Sequence, residues 1–304
     1  MTKAREVLVI GGNRYFGKRL ITRLLAAGDR VTVLNRGSLA PPPGAEHLVA
    51  DRAGEGALVA ALGTRTFDVV VDQVCYSPRH AGIARRVFTG RTGRYLMTST
   101  VEVYEQEDTD ALVPESTVDP RTVAVDLELP WDDAEFIERN YGEGKRQAEA
   151  VFTAAGPELP FASVRLAHVL GGDDDFTGRL AHYADRIRTG APILVPPLPR
   201  PATYIHVEEV ADFLFWAVGQ EFTGPVNAAS HGKLGVRELC AEVAAQIPGG
   251  KLVFEETESG EVSPFAFRRS YPMDNSRAAG LGFGFDHARL WLPKAIAETL
   301  GKDN

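Results

Sequence analysis

The chain has 304 residues, with 33 basic and 41 acidic side chains and a net charge of −8. Hydrophobic residues make up 44% and charged residues 24%, the balance of an ordinary folded protein, which excludes disorder as the main state. The acidic surplus argues against a protein that works chiefly by covering phosphate backbones, and at roughly 150 residues per domain the length suggests about two domains.

The first half of the chain alternates in one rhythm. Apolar strands are predicted at residues 7–10, 31–34, 47–50 and 68–71, with a fifth starting at 94. Helical patterns fall at 20–27, 58–62 and 81–88. Strands without internal polar alternation, separated by helices, predict a parallel sheet buried on both faces, hence an α/β, doubly wound fold. From residue 171 onward the rhythm loosens into acidic and proline-rich loops. The expected division is a Rossmann domain over 1–165 and a smaller substrate-binding domain over 166–304, with some elements returning to the first sheet.

Cys75 and Cys240 are too few for a disulfide scaffold or a four-cysteine zinc site, and they read as reduced thiols. A secretory segment needs roughly 7–15 apolar residues, and the start of the chain offers only residues 7–10. No run approaches the roughly 20 residues that cross a bilayer. The expectation is a cytoplasmic protein.

Gly11, Gly12, Asn13, Arg14, Tyr15, Phe16 and Gly17 lie between the first strand and its helix. Gly11 allows a tight turn, Gly17 a close helix–sheet approach, and the helix N-terminus offers N–H groups and a positive dipole to a pyrophosphate. The middle glycine of the usual spacing is replaced by Arg14, which either meets a cofactor phosphate or points to solvent. At the end of the second strand stand Asn35 and Arg36 rather than a ribose-binding carboxylate. Arginine suits a 2′-phosphate, so the cofactor leans to NADP over NAD; the alternative is a solvated loop arginine. Asp51, followed by Arg52, is placed to accept from an adenine amino group or to cap its own loop.

Tyr141 and Lys145 are four apart and share a helical face. A phenol near pKa 10 is a poor base at neutral pH, and a nearby ammonium favours its phenolate. Upstream, Thr100 closes the fifth strand at the carboxyl edge, where doubly wound folds bind ligands. A hydroxyl, a tunable phenol and a lysine beside a nicotinamide are the parts that move a hydride and a proton at a carbinol or ketone.

These pieces, with residues 164–171, 204–211 and 226–229, resemble the extended short-chain dehydrogenase/reductases, the NAD-dependent epimerase/dehydratase family, over nearly the whole chain. The glycine turn is similar to an atypical subgroup that includes chloroplast stem-loop-binding proteins and reductases. The resemblance implies Tyr141 as general acid/base, Lys145 as its electrostatic partner and ribose anchor, and Thr100 as the group orienting the substrate oxygen. It further implies a sugar-like small-molecule substrate and a homodimer.

Departures bear on the substrate. Dehydratases of the family carry Thr-Asp-Glu where this chain has Thr100-Val101-Glu102, so one carboxylate is lost, although Glu102 remains to contact substrate. His168 replaces a usual Asn, and Ala202 a usual Arg, both of which help hold a diphosphate; Arg200, Arg268 and Arg269 are candidate substitutes. His206 reads as structural, Asp173 to Asp175 as a solvated loop, and no metal site is expected. The rival reading is an RNA-binding or endoribonuclease protein on the same scaffold, using Arg85, Arg86, Arg94, Arg268 and Arg269 as a basic footprint; the net charge speaks against it.

Overall fold

In β1 (Glu6–Ile10), Val7, Leu8 and Val9 are wholly buried, as a strand covered on both faces requires. The computed structural model describes residues 4–301; residues 1–3, at the start of the segment read as lacking a secretion signal, and 302–304 lie outside the described residues. After β1 come α1 (Tyr15–Ala26), β2 (Arg30–Asn35), β3 (Glu46–Val49), α2 (Glu55–Leu62), β4 (Phe67–Asp72), α3 (Pro78–Phe88), β5 (Thr92–Thr100), α4 (Ala134–Arg139), α5 (Tyr141–Thr153) and β6 (Phe161–Leu166). The chain continues through β7 (His168–Leu170), α6 (Arg179–Thr189), β8 (Ile193–Val195), β9 (Ala202–His206), α7 (Val207–Val218) and β10 (Gly224–Ala228). It ends with β11 (Lys233–Leu234), α8 (Val236–Ala245), β12 (Phe254–Glu256), α9 (Ser276–Gly280) and α10 (Ala288–Gly301).

The main sheet has seven strands in the order β10-β6-β5-β4-β1-β2-β3. The β1 strand runs parallel to both neighbours, Val7 opposite Val31 on one side and Val69 on the other. From β1 the chain winds outward to β3, then returns to β4 and winds the other way. The fold is therefore the doubly wound α/β arrangement, with its switch point between β1 and β4, the place where such sheets take ligands.

The chain clusters into two compact units. The first runs to Glu105 and adds Glu115–Arg165 and Ala211–Val226. The second comprises Gln106–Pro114, Leu166–Val210 and the chain from Asn227 on. In the first unit, Tyr95, Phe152 and Phe161 stack in series beneath the sheet, with ring centres 4.5 and 4.8 Å apart. Fully buried Arg165 of β6 fixes α5 to the sheet. It donates to Glu149 (2.6 Å), the Tyr104 hydroxyl (2.8 Å) and the carbonyls of Glu115 (3.1 Å) and Val118 (2.8 Å). Burial alone would lower its pKa; Glu149 more than offsets this and keeps it raised.

In the second unit β9 pairs parallel to β7 and antiparallel to β11, and β8 pairs parallel to β12. Its core gathers Tyr183, Tyr204, Leu239, Phe265, Leu292 and Ile296.

Candidate active site

The chain leaves β1 with φ of +82° at Gly11 and +78° at Gly12, a path glycine takes without strain. A methyl at Gly11 would stand 2.8 Å from a Val74 methyl, and one at Gly17 would overlap the Gly12 backbone and the Gln73 amide oxygen. Tyr15 follows with φ +54° while only 3% exposed. A left-handed non-glycine residue costs roughly 1–2 kcal/mol, and such outliers gather at ligand-binding turns. No side chain caps α1 at exposed Arg14, and the positive end of a helix is an arrangement that suits an anion. Phe16 lies with its ring 6.0 Å from that of Tyr15, and Asn13 donates to the Leu39 carbonyl (2.6 Å) while its Oδ1 is buried without a partner.

At the end of β2, Asn35 serves its own loop, accepting from the Gly37 amide at 2.6 Å, while Arg36 is exposed. Asp51 is exposed too and accepts from the Ala53 amide at 2.9 Å, the loop-capping arrangement. Its neighbour Arg52 turns inward, is 7% exposed, and pairs with Asp72 at the end of β4. Asp72 also accepts from the Tyr95 hydroxyl (2.6 Å) and the Val74 amide (3.0 Å). Burial alone would lower the Arg52 pKa; Asp72 outweighs it and holds the guanidinium charged.

Arg52 Nε and Nη1, and Gln73 Nε2 beside the glycine turn, are buried without a protein partner. Buried donors are seldom left unmet. These orphaned nitrogens, the glycine cradle and the uncapped helix fit an acceptor-rich dinucleotide.

Thr100 closes β5 and caps the 3-10 turn Val101–Tyr104, its Oγ1 accepting from the Glu102 amide at 3.2 Å. Tyr141 is the first residue of α5. A methyl at Gly142 would overlap the Glu102 carbonyl oxygen, and one at Gly144 the Tyr76 carbonyl oxygen. The start of α5 is thus wedged between the loops that follow β4 and β5, which brings Tyr141 to the segment holding Thr100 and half-buried Glu102.

One turn on, Lys145 is 1% exposed and donates to the Thr98 carbonyl at 2.7 Å. Its ammonium lies 5.7 Å from the Tyr141 ring centre and 4.8 Å from that of Tyr76. Burial pushes its pKa down to about 8. The first unit therefore assembles a hydroxyl, a phenol and a buried ammonium at the carboxyl end of its sheet.

The model of the NAD-dependent epimerase/dehydratase family matches residues 7–229. The chain belongs to that family. Among solved structures it is similar to the UDP-glucose 4-epimerase of Thermotoga maritima with UDP-glucose, at 17% identity and a TM-score of 0.73, covering 98% of this chain and 99% of that one. The Bordetella bronchiseptica enzyme WbmG with NAD and UDP gives 17% and 0.75, covering 99% and 94%. The dTDP-glucose 4,6-dehydratase of Bacillus anthracis with NAD gives 12% and 0.76, covering 99% and 98%. Likeness at these identities establishes the fold. No curated protein matches the chain in sequence.

In this member of the epimerase/dehydratase family, the second unit carries the remaining candidates. His168 stacks on Phe267, ring centres 4.6 Å apart, with Tyr271 edge-on at 5.0 Å. Burial, and then Arg179 and Arg269, push its pKa down to about 3, so the imidazole is neutral, and its Nε2 is buried without a partner. Arg269 lies 4.2 Å from the Tyr271 ring centre. Arg200 is already engaged by Asp110 at 2.6 Å. His206 has its Nε2 3.5 Å from Glu298 Oε2 and its ring 5.4 Å from Trp291.

Of the arginines proposed as a nucleic-acid footprint, Arg86, Arg94 and Arg268 are engaged within the chain. Arg86 pairs with Glu55 at 2.7 Å. Arg94 is 6% exposed and donates to the carbonyls of Ala217 (2.6 Å) and Phe222 (2.7 Å). Arg268 turns to the carbonyls of Glu258 and Thr257. Among the described residues, no group of three or more His, Cys, Asp or Glu is arranged to hold a metal ion, and no helix is long and apolar enough to cross a membrane.

The sequence alone singles out neither Tyr76 nor Gly142 and Gly144. A signal for the glycines was present: two helix-weakening residues between Tyr141 and Lys145 are explained only by close backbone approach.

Proposed function

We propose that this protein is an NAD(P)-dependent oxidoreductase acting at a secondary alcohol or ketone of a sugar-like metabolite, by net reduction or by epimerisation through a transient ketone. The observation that carries the reading is the wedged start of α5, which brings Tyr141 to the segment holding Thr100, with a buried ammonium one turn behind it. The nicotinamide, when bound, gives or accepts the hydride. Tyr141 moves the proton at the carbinol oxygen, Thr100 orients that oxygen by a hydrogen bond, and Lys145 favours the phenolate by its charge. Lys145 also offers a donor to cofactor ribose.

Gly11, Gly12, Gly17 and the uncapped start of α1 cradle the pyrophosphate. Arg52 and Gln73 meet acceptors of the cofactor with their unmet donors. Exposed Arg36 favours NADP, and with it reduction. The second unit binds the substrate. There Arg179 and Arg269 flank neutral His168, which suits an anionic substrate group, in keeping with the nucleotide ligands named for the similar structures.

Mass spectrometry of the ligand retained on purification tests the reaction type. Tightly held NAD supports epimerisation; an empty protein that takes up NADPH supports reduction. Tyr141→Phe is expected to lower turnover by roughly 100- to 10,000-fold. Turnover equal to the parent would dismiss the mechanism.

A further inference from the structure

We infer that Tyr76 is a positioning residue of the site, its ring face holding the Lys145 ammonium so that the full positive charge stays directed at Tyr141. The inference rests on the reading of Tyr141 and Lys145 given above and adds a member that the Tyr–Lys spacing does not contain.

Three observations meet at this point. The ammonium lies closer to the Tyr76 ring centre (4.8 Å) than to that of Tyr141 (5.7 Å). The two phenol rings are neighbours, 6.2 Å apart and tilted by 49°. The Tyr76 backbone is fixed against the same helix, because Gly144 leaves room for the Tyr76 carbonyl and nothing larger would. The Tyr76 amide also donates to His80 Nδ1 at 3.3 Å, which ties the loop to the start of α3.

The chemistry explains why a ring stands here. A buried ammonium needs partners or it loses its proton. A carboxylate in contact would keep it charged and at the same time cancel its field at Tyr141. An aromatic face attracts the cation through its quadrupole and brings no opposing charge. With the Thr98 carbonyl on one N–H and two ring faces beside it, Lys145 stays a cation whose charge is still available. The charged and titratable groups facing it are Asp72 and Cys75 at and just after β4, Arg52 after β3, Glu149 on α5 itself and His80 on α3, whose own pKa burial holds down at about 4, beside the two tyrosines.

The test is a double-mutant cycle of Tyr76→Leu with Lys145→Met, read by urea unfolding of the full chain at pH 7. A desolvated ring–ammonium contact predicts that leucine at position 76 lowers the folding constant about tenfold more when position 145 is lysine than when it is methionine. Tyr76→Phe keeps the ring and is expected to keep the coupling.

A second readout is the pH at which the stability difference between proteins with and without Lys145→Met changes, which reports the lysine's own titration. In the Tyr76→Leu background it falls by about one pH unit, the equivalent of tenfold, and in the Tyr76→Phe background it stays put. Loss of packing alone would move neither the coupling nor this midpoint. Zero coupling, or a Tyr76→Phe protein that behaves like Tyr76→Leu, overturns the inference. Neither measurement uses turnover, so a fully active Tyr141→Phe protein would sink the reading of the site while leaving the ring–ammonium contact separately decided.

Discussion

Replacing Lys145 by methionine is expected to make the protein more stable and less active. The ammonium is 1% exposed, and burial has pushed its pKa from 10.5 down to about 8. Below pH 8 both the folded and the unfolded chain carry the charge, so the folded state bears the whole penalty, about 3 kcal/mol. Between pH 8 and 10.5 the unfolded chain holds a proton that the folded chain has released, and stability rises with pH. Above that range the penalty is gone. Methionine carries no charge in either state, and the Thr98 carbonyl loses its partner at a cost of about 1 kcal/mol. The variant is therefore expected to gain about 2 kcal/mol at pH 7, and the gain closes as pH climbs through 8 to 10.5. Urea unfolding followed by tryptophan fluorescence from about pH 6 to about pH 10 measures this, because other titrations cancel in the difference between the two proteins. A difference that is flat with pH, or a less stable Lys145→Met protein at pH 7, would refute the argument. Turnover should fall at every pH, since a charge retained at a stability cost is kept for its chemistry.

Gly144→Ala gains helix propensity but drives a methyl into the Tyr76 carbonyl, so thermal unfolding should show a net loss of about 1–3 kcal/mol; a stabilised variant would remove the wedge from the account. Arg165→Ala strands the fully buried Glu149 carboxylate and should cost about 3–5 kcal/mol, while Arg165→Met combined with Glu149→Leu recovers most of it; denaturant titration of the two proteins decides, and equal losses would contradict the ion-pair argument. Arg36→Ser should weaken NADPH at least about tenfold by calorimetry and leave NADH unchanged, the signature of a lost contact to the 2′-phosphate. If the parent itself prefers NADH, Arg36 has no such role.

Features that depend only on neighbours along the chain were legible in the order of residues. Unbroken apolar strands can be covered only on both faces, so residues 7–10 and 68–71 declared a parallel sheet. The glycines at 11 and 17 declared the turn, since only residues without a Cβ fit it. The four-residue step from Tyr141 to Lys145 declared a shared helical face.

Which charges are available emerged only on folding, because their partners lie far away in sequence. Arg52 faces inward since Asp72, 20 residues on, fixes it. Arg200 is held by Asp110 at a separation of 90, and Arg94 is taken up by a carbonyl 123 residues away. The ring beside the Lys145 ammonium comes from the loop after β4, and no periodicity in α5 announces it. A side chain's chemistry is written in its residue type, but its charge and reach are set by what desolvates it and what it touches, and these are properties of the folded chain.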